Sequence, residues 1–113
     1  MRGIDPIMSN ESVTWHRVAS RSKLTPANPL AVEVGDKLIG LYLVDGTVYA
    51  IGNLCTHEFA ILTDGFVEGD AIECPLHQAR FCIKSGKVLS EPADTDIPSY
   101  PVKVSGDDIY VGV

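Results

Sequence analysis

Two short stretches of the chain each pair a thiol with an imidazole: Cys55-Thr56-His57 and Cys74-Pro75-Leu76-His77. Sixteen residues lie between His57 and Cys74, which gives the pattern C-x-H-x16-C-x2-H. Two thiolates and two imidazoles could hold either one tetrahedral zinc ion or a two-iron cluster. Structural zinc sites usually pair like with like at short range, as in C-x2-C with H-x3-H, because each pair forms a small chelating knuckle. Here each stretch offers one Cys and one His. That mixed arrangement suits a [2Fe-2S] rhomb in which two cysteines hold one iron and two histidines hold the other, so that each stretch gives one ligand to each iron. Taken singly, each cysteine reads equally well as a small buried hydrophobe and each histidine as an exposed loop residue. Four such residues in matching register argue against that coincidence.

The elements that must hold these residues are strands. Alternating or branched apolar runs of strand length recur from Trp15 to Val113, and no window of helical length carries a clean 3.6-residue stripe. The chain therefore reads as all-β, with strands expected over 15–19, 30–34, 37–44, 47–51, 71–73, 80–83, 87–89, 100–104 and 109–113. Gly35-Asp36, Asp45-Gly46, Ser85-Gly86 and Gly106-Asp107 supply the positive φ that tight hairpins need, so each should join two antiparallel strands. Many short strands at close spacing suggest a small sandwich or barrel. Residues 53–70 and 74–78 interrupt this rhythm, and both segments carry a Cys followed closely by a His. Loops on a rigid sheet are where functional groups are commonly presented.

A chain of 113 residues fits one domain with a real core and leaves no room for a second catalytic domain. Residues 1–12 read as a flexible tail, in which Met1-Arg2-Gly3-Ile4-Asp5-Pro6-Ile7 looks vector-derived ahead of Met8, and residues 13–113 read as the folded domain. The net charge of -6 opposes binding to nucleic acid or an anionic membrane, and a basic patch on a protein partner suits it better. Every apolar stretch is far shorter than the roughly 20 residues of a membrane helix. Three cysteines without a secretory signal do not make a disulfide framework, so the expected home is the reducing cytoplasm.

The paired C-x-H and C-x2-H loops, with Pro75 after the second Cys, resemble the Rieske motif. In particular the chain resembles the Rieske-type [2Fe-2S] ferredoxin components of bacterial aromatic ring-hydroxylating dioxygenase systems, such as those acting on naphthalene, biphenyl or toluene. Matching stretches are Asn53-Leu54-Cys55-Thr56-His57, the Asp64-Gly65 turn, Glu73-Cys74-Pro75-Leu76-His77-Gln78, Arg80-Phe81, Ser85-Gly86-Lys87 and Tyr100-Pro101-Val102. The resemblance implies a small antiparallel sandwich or barrel of the Rieske type with a two-loop cluster-binding subdomain. It also implies one [2Fe-2S] cluster on Cys55, His57, Cys74 and His77, with the histidine-bound iron near the tip and electrons passing through His57 and His77.

Family comparison bears on tuning as well. Respiratory and photosynthetic members tie the two loops with a disulfide, and the matching positions here are Ala60 and Leu76. High-potential members place a Ser and a Tyr to donate hydrogen bonds toward the sulfur atoms, where this chain has Ala79 and Phe81. Lost donors lower the potential, so the expectation is the low end of the Rieske range of roughly -150 to +300 mV. Cys82 belongs to neither motif and is expected to be an unligated thiol, while His16 reads as a surface residue of the first strand. Phe59 either shields the cluster or offers an apolar contact to a partner. Pro92-Ala93 falls where the family has a third, proline-containing loop, although Glu91 stands where a small residue or proline is common.

The resemblance implies a non-catalytic one-electron carrier between a flavoprotein ferredoxin reductase that oxidises NAD(P)H and a terminal oxygenase, expected to be monomeric. The alternatives are a fixed Rieske subunit of another redox enzyme, one like a nitrite reductase, and a zinc-stabilised interaction domain. A 2-His-1-carboxylate iron site is disfavoured because only His16 remains outside the two motifs. The aromatic substrate would be chosen by an oxygenase that this chain does not contain.

Overall fold

The run Lys37–Val44 is apolar at almost every position, the pattern of a strand covered on both faces, and it forms the middle of the molecule. The computed structural model describes residues 13–55, 60–76, 79–90 and 95–113; the expected tail of residues 1–12 lies outside the described residues. In chain order the strands are β1 (Trp15–Ser20), β2 (Leu30–Val34), β3 (Lys37–Val44), β4 (Thr47–Gly52), β5 (Phe66–Glu68), β6 (Ala71–Glu73), β7 (Arg80–Cys82), β8 (Val88–Ser90), β9 (Ser99–Tyr100), β10 (Val102–Ser105) and β11 (Asp108–Gly112). Two 3-10 turns, Arg21–Lys23 and Leu62–Asp64, complete the elements of the described residues. Among the described residues there is no α-helix, as the all-β reading expects.

Three antiparallel sheets form, in the orders β1-β11-β10, β2-β3-β4-β9 and β5-β6-β7-β8. The alternation of β3 and β4 explains how they stack. Ile39, Leu41, Leu43, Val48 and Ala50 point to one side and join Ile109 and Val111 of the first sheet in one core. Tyr42, Val44 and Ile51 point to the other side and join Ile72 and Phe81 of the third sheet in a second core. The β2-β3-β4-β9 sheet is thus the middle of three layers, and each of its faces closes a separate apolar interior.

Hairpin registers follow the expected turns, with Val34 opposite Lys37, Val44 opposite Thr47 and Ser105 opposite Asp108. At Asp45-Gly46 both residues have positive φ, 51° and 81°, as a two-residue hairpin of the favoured twist requires. The expected strand over 100–104 is split in two. Pro101 has no N–H to give to a ladder, and its carbonyl accepts from the N–H of Gly112 while β9 pairs with β4 and β10 with β11. β5 lies inside the 53–70 interruption and was not expected, since only Val67 of its three residues turns toward the core.

Candidate metal centre

β4 runs toward the first Cys-His stretch and ends at Gly52. Beyond it, Leu54 forms an isolated antiparallel bridge with Ile61, and the N–H of Cys55 donates to the carbonyl of Ala60 at 2.8 Å. The second stretch is built alike. Glu73 and Arg80 pair across β6 and β7, and the N–H of Cys74 donates to the carbonyl of Ala79 at 2.7 Å. Each cysteine therefore opens a six-residue loop, 55–60 or 74–79, closed by the same type of bond.

Both cysteines point into the core between the middle and third layers, at 0 % and 1 % exposure, together with Ala60, Leu62, Ala79 and Phe81. Two of the four expected ligands thus lie in one core. His57 and His77 lie outside the described residues, as do Thr56, Phe59, Gln78 and the Glu91-Pro92-Ala93 stretch. Among the described residues no group of three or more Cys, His, Asp or Glu converges as a metal site. The two expected hydrogen-bond positions, Ala79 and Phe81, are wholly buried and carry no hydroxyl.

A segment from a third direction borders the same core. Ile97 is buried there, its N–H donates to the carbonyl of Gly86 at 2.8 Å, and the Asp96 carboxylate accepts from the N–H of Val88 at 2.9 Å. On the outside, Leu54, Phe66 and Leu76 are exposed large apolar residues. Leu54 precedes Cys55, Leu76 precedes His77, and Phe66 stands opposite Glu73 beside Cys74.

Cys82 is on β7 opposite Ala71 and is not a member of the core that holds the other two cysteines. Its thiol is held below the ordinary value, first by the Ser85 hydroxyl and also by the backbone N–H groups of Lys84 and Ser85, against the opposing effects of burial and of Asp70. Burial pushes the Tyr42 phenol well above its ordinary value, and its hydroxyl has no hydrogen-bond partner among the described residues.

Two residues that organise the site carry little signal in the sequence. Asn53 is the one buried polar residue of the described core, and its side chain pairs with Thr63. Gly65 packs so closely on the strand entering Cys74 that a Cβ there would collide with the Glu73 carbonyl oxygen. Their signal is their place in two of the stretches that match the Rieske ferredoxins, Asn53 two residues before Cys55 and Gly65 in the Asp64-Gly65 turn, and neither stretch states a role for them.

Burying two thiolates in an apolar interior is unfavourable unless a cation neutralises them, and a ferric centre with sulfide bridges meets that need. The cysteines, the matched loops and the histidine spacing in the sequence fit a two-iron cluster. A sequence model of the Rieske [2Fe-2S] domain matches residues 14–101. The chain belongs to this Rieske family, and its cofactor is a [2Fe-2S] cluster. It is 47% identical over 90 residues to the ferredoxin component of the naphthalene 1,2-dioxygenase/salicylate 5-hydroxylase systems of Ralstonia sp, covering 80% of this chain and 86% of that protein. In structure it is similar to the ferredoxin of Sphingomonas yanoikuyae B1, with a TM-score of 0.84 and 33% identity over 88% of this chain and 99% of that one. It is also similar to a chain in a complex of reduced oxygenase and oxidised ferredoxin in carbazole 1,9a-dioxygenase, with a TM-score of 0.80, 33% identity, and coverage of 86% of this chain and 91% of that one.

Proposed function

We propose that this protein carries single electrons from a flavoprotein ferredoxin reductase that oxidises NAD(P)H to the terminal oxygenase of an aromatic-ring dioxygenase system, and catalyses no reaction itself. The observation that carries the reading is the pair of matched loop closures, which bury Cys55 and Cys74 in one core while Leu54 and Leu76 stay exposed beside them. In this reading Cys55 and Cys74 hold one iron, and His57 and His77 hold the other. When bound, the cluster supplies one reversible electron at the end of the molecule a partner can reach. Leu62, Ile72, Phe81 and Ile97 keep water from the cysteine side. Leu54, Phe66 and Leu76 give a partner an apolar surface beside the loops.

Ala79 and Phe81 offer no hydroxyl to the sulfur atoms, so the midpoint potential lies below zero, toward the bottom of the range of roughly -150 to +300 mV. That level suits electrons descending from a flavin. The protein works as a monomer in the cytoplasm; no helix among the described residues is long and apolar enough to cross a membrane. Support for the partners comes from the relatives, one named as a component of naphthalene dioxygenase systems and one in a complex of oxygenase and ferredoxin.

Reconstitution tests the proposal. With NADH and the reductase and oxygenase of a naphthalene 1,2-dioxygenase system, dihydroxylated product should form only when this protein is added, and His77→Ala should abolish it. Product formation independent of the protein, or its isolation from native extract as a fixed subunit of a larger enzyme, would overturn the carrier reading.

A further inference from the structure

The two ligand loops are closed by like bonds but differ in what lies beneath them. The second loop rises from true strands, because Glu73 of β6 and Arg80 of β7 form a ladder rung directly below Cys74 and Ala79. Below Cys55 and Ala60 the first loop has only the isolated Leu54–Ile61 bridge, since β4 ends at Gly52 and the chain returns through the 3-10 turn Leu62–Asp64. A 3-10 turn cannot offer a strand's row of partners.

Asn53 fills that gap with its side chain. Its N–H donates to the Leu38 carbonyl of β3 at 2.9 Å, and its carbonyl accepts from the Leu62 N–H at 2.9 Å. Its Oδ1 accepts from the Thr63 N–H at 2.9 Å, and its Nδ2 donates to Thr63 Oγ1 at 2.9 Å. The residue is 2 % exposed. It is seated against Gly40, where a Cβ would lie 3.1 Å from Asn53 Oδ1 and 3.0 Å from Thr63 Cγ2, so the middle strand leaves room for the pair. The side-chain amide thus binds the returning arm at Thr63 to Asn53, whose backbone N–H is bonded to the middle layer.

We infer that Asn53, with Thr63 as its partner, is the positioning residue of the first ligand loop. The inference rests on the assignment of Cys55 and His57 as ligands. Groups behind the ligands fix their orientation and tune the metal. Loss of the Asn53 side chain leaves the half-buried Thr63 N–H without its acceptor and frees the base of the first loop, while the second loop keeps its strands.

The test compares Asn53→Ala and Thr63→Val with Ile109→Val, whose site is in the core that contains no cysteine. Midpoint potentials come from protein-film voltammetry, g values from EPR of the reduced holoprotein, and protection of the Cys55 amide from hydrogen exchange. Asn53→Ala should keep its iron yet shift the midpoint and at least one g value beyond replicate error, with Cys55 exchange roughly tenfold faster, the factor expected for one net hydrogen bond. Thr63→Val, which keeps the bond from its N–H to Oδ1, should move each readout the same way by less. Ile109→Val should lower the Tm and leave potential and g values at the parent's. Should Asn53→Ala fail to take up iron, Thr63→Val carries the test. Loaded variants with the parent's g values and midpoint would overturn the inference. A parent without iron would instead sink the ligand assignment, and exchange at Cys55 would then decide alone, with unchanged protection ruling against Asn53.

Discussion

Three cysteines with the same side chain have two kinds of surroundings. Cys55 and Cys74 are sealed in the apolar core, whereas Cys82 is half-buried with its thiol held below the ordinary value by the Ser85 hydroxyl. A lowered and accessible thiol is the one that reacts. Iodoacetamide should therefore label Cys82 first in the native protein, and Cys82→Ser should keep the cluster while Cys55→Ser loses it; peptide mass mapping with iron analysis checks both. Tyr42 gives a second prediction at this scale. An unpaired buried hydroxyl costs about 1–3 kcal/mol, so Tyr42→Phe should stabilise the protein by about 1 kcal/mol at neutral pH. The pH dependence follows from the direction of the shift. The folded phenol ionises above the value of 10.0 it has when unfolded, so no proton difference exists below pH 10, and above it the unfolded state binds fewer protons. Stability then falls as pH rises past 10, and denaturant titrations should show a shallower fall in the Phe variant. The four expected ligand residues stand out in the sequence because thiols and imidazoles are chemically distinctive. Asn53 does not, because its value comes from a 3-10 turn whose position no local pattern marks.

Elements are legible where alternation is long and hidden where it is short. Leu30–Val34 and Lys37–Val44 form as their apolar patterns and the Gly35-Asp36 turn require. Phe66–Glu68 is too short for alternation to declare itself, with Phe66 and Glu68 both exposed. Pro101 was visible, but its effect depends on which strands flank it: it frees β9 to pair with β4 and β10 to pair with β11. Gly65 packs closely on the Glu73 carbonyl, one residue before Cys74. Gly65→Ala must push the Leu62–Asp64 turn away from β6, at a cost of about 1–3 kcal/mol as for other overpacked sites. Thermal melts should show that loss together with reduced iron content, while Gly106→Ala, where a Cβ meets nothing within 4 Å but φ is +61°, should lower stability through backbone strain alone and keep the iron.

Across the whole molecule, the middle sheet divides a core with both cysteines from a core with none. The all-β class and the two-loop arrangement were readable in the sequence, because glycine turns and Cys-His spacing are local signals. The three-layer stack was not, because the apolar run of β3 calls for cover on both faces but nothing local says which strands supply it. The acidic balance, the exposed apolar side chains beside the loops and the buried cysteines all suit a small carrier that docks briefly by one end. All of this depends on what Cys55, His57, Cys74 and His77 hold. Metal and sulfide analysis with EPR of the dithionite-reduced protein tests that most directly: about two irons and two acid-labile sulfides per chain, with a rhombic signal of average g near roughly 1.9, is the expected result. Stoichiometric zinc with no EPR signal would contradict it.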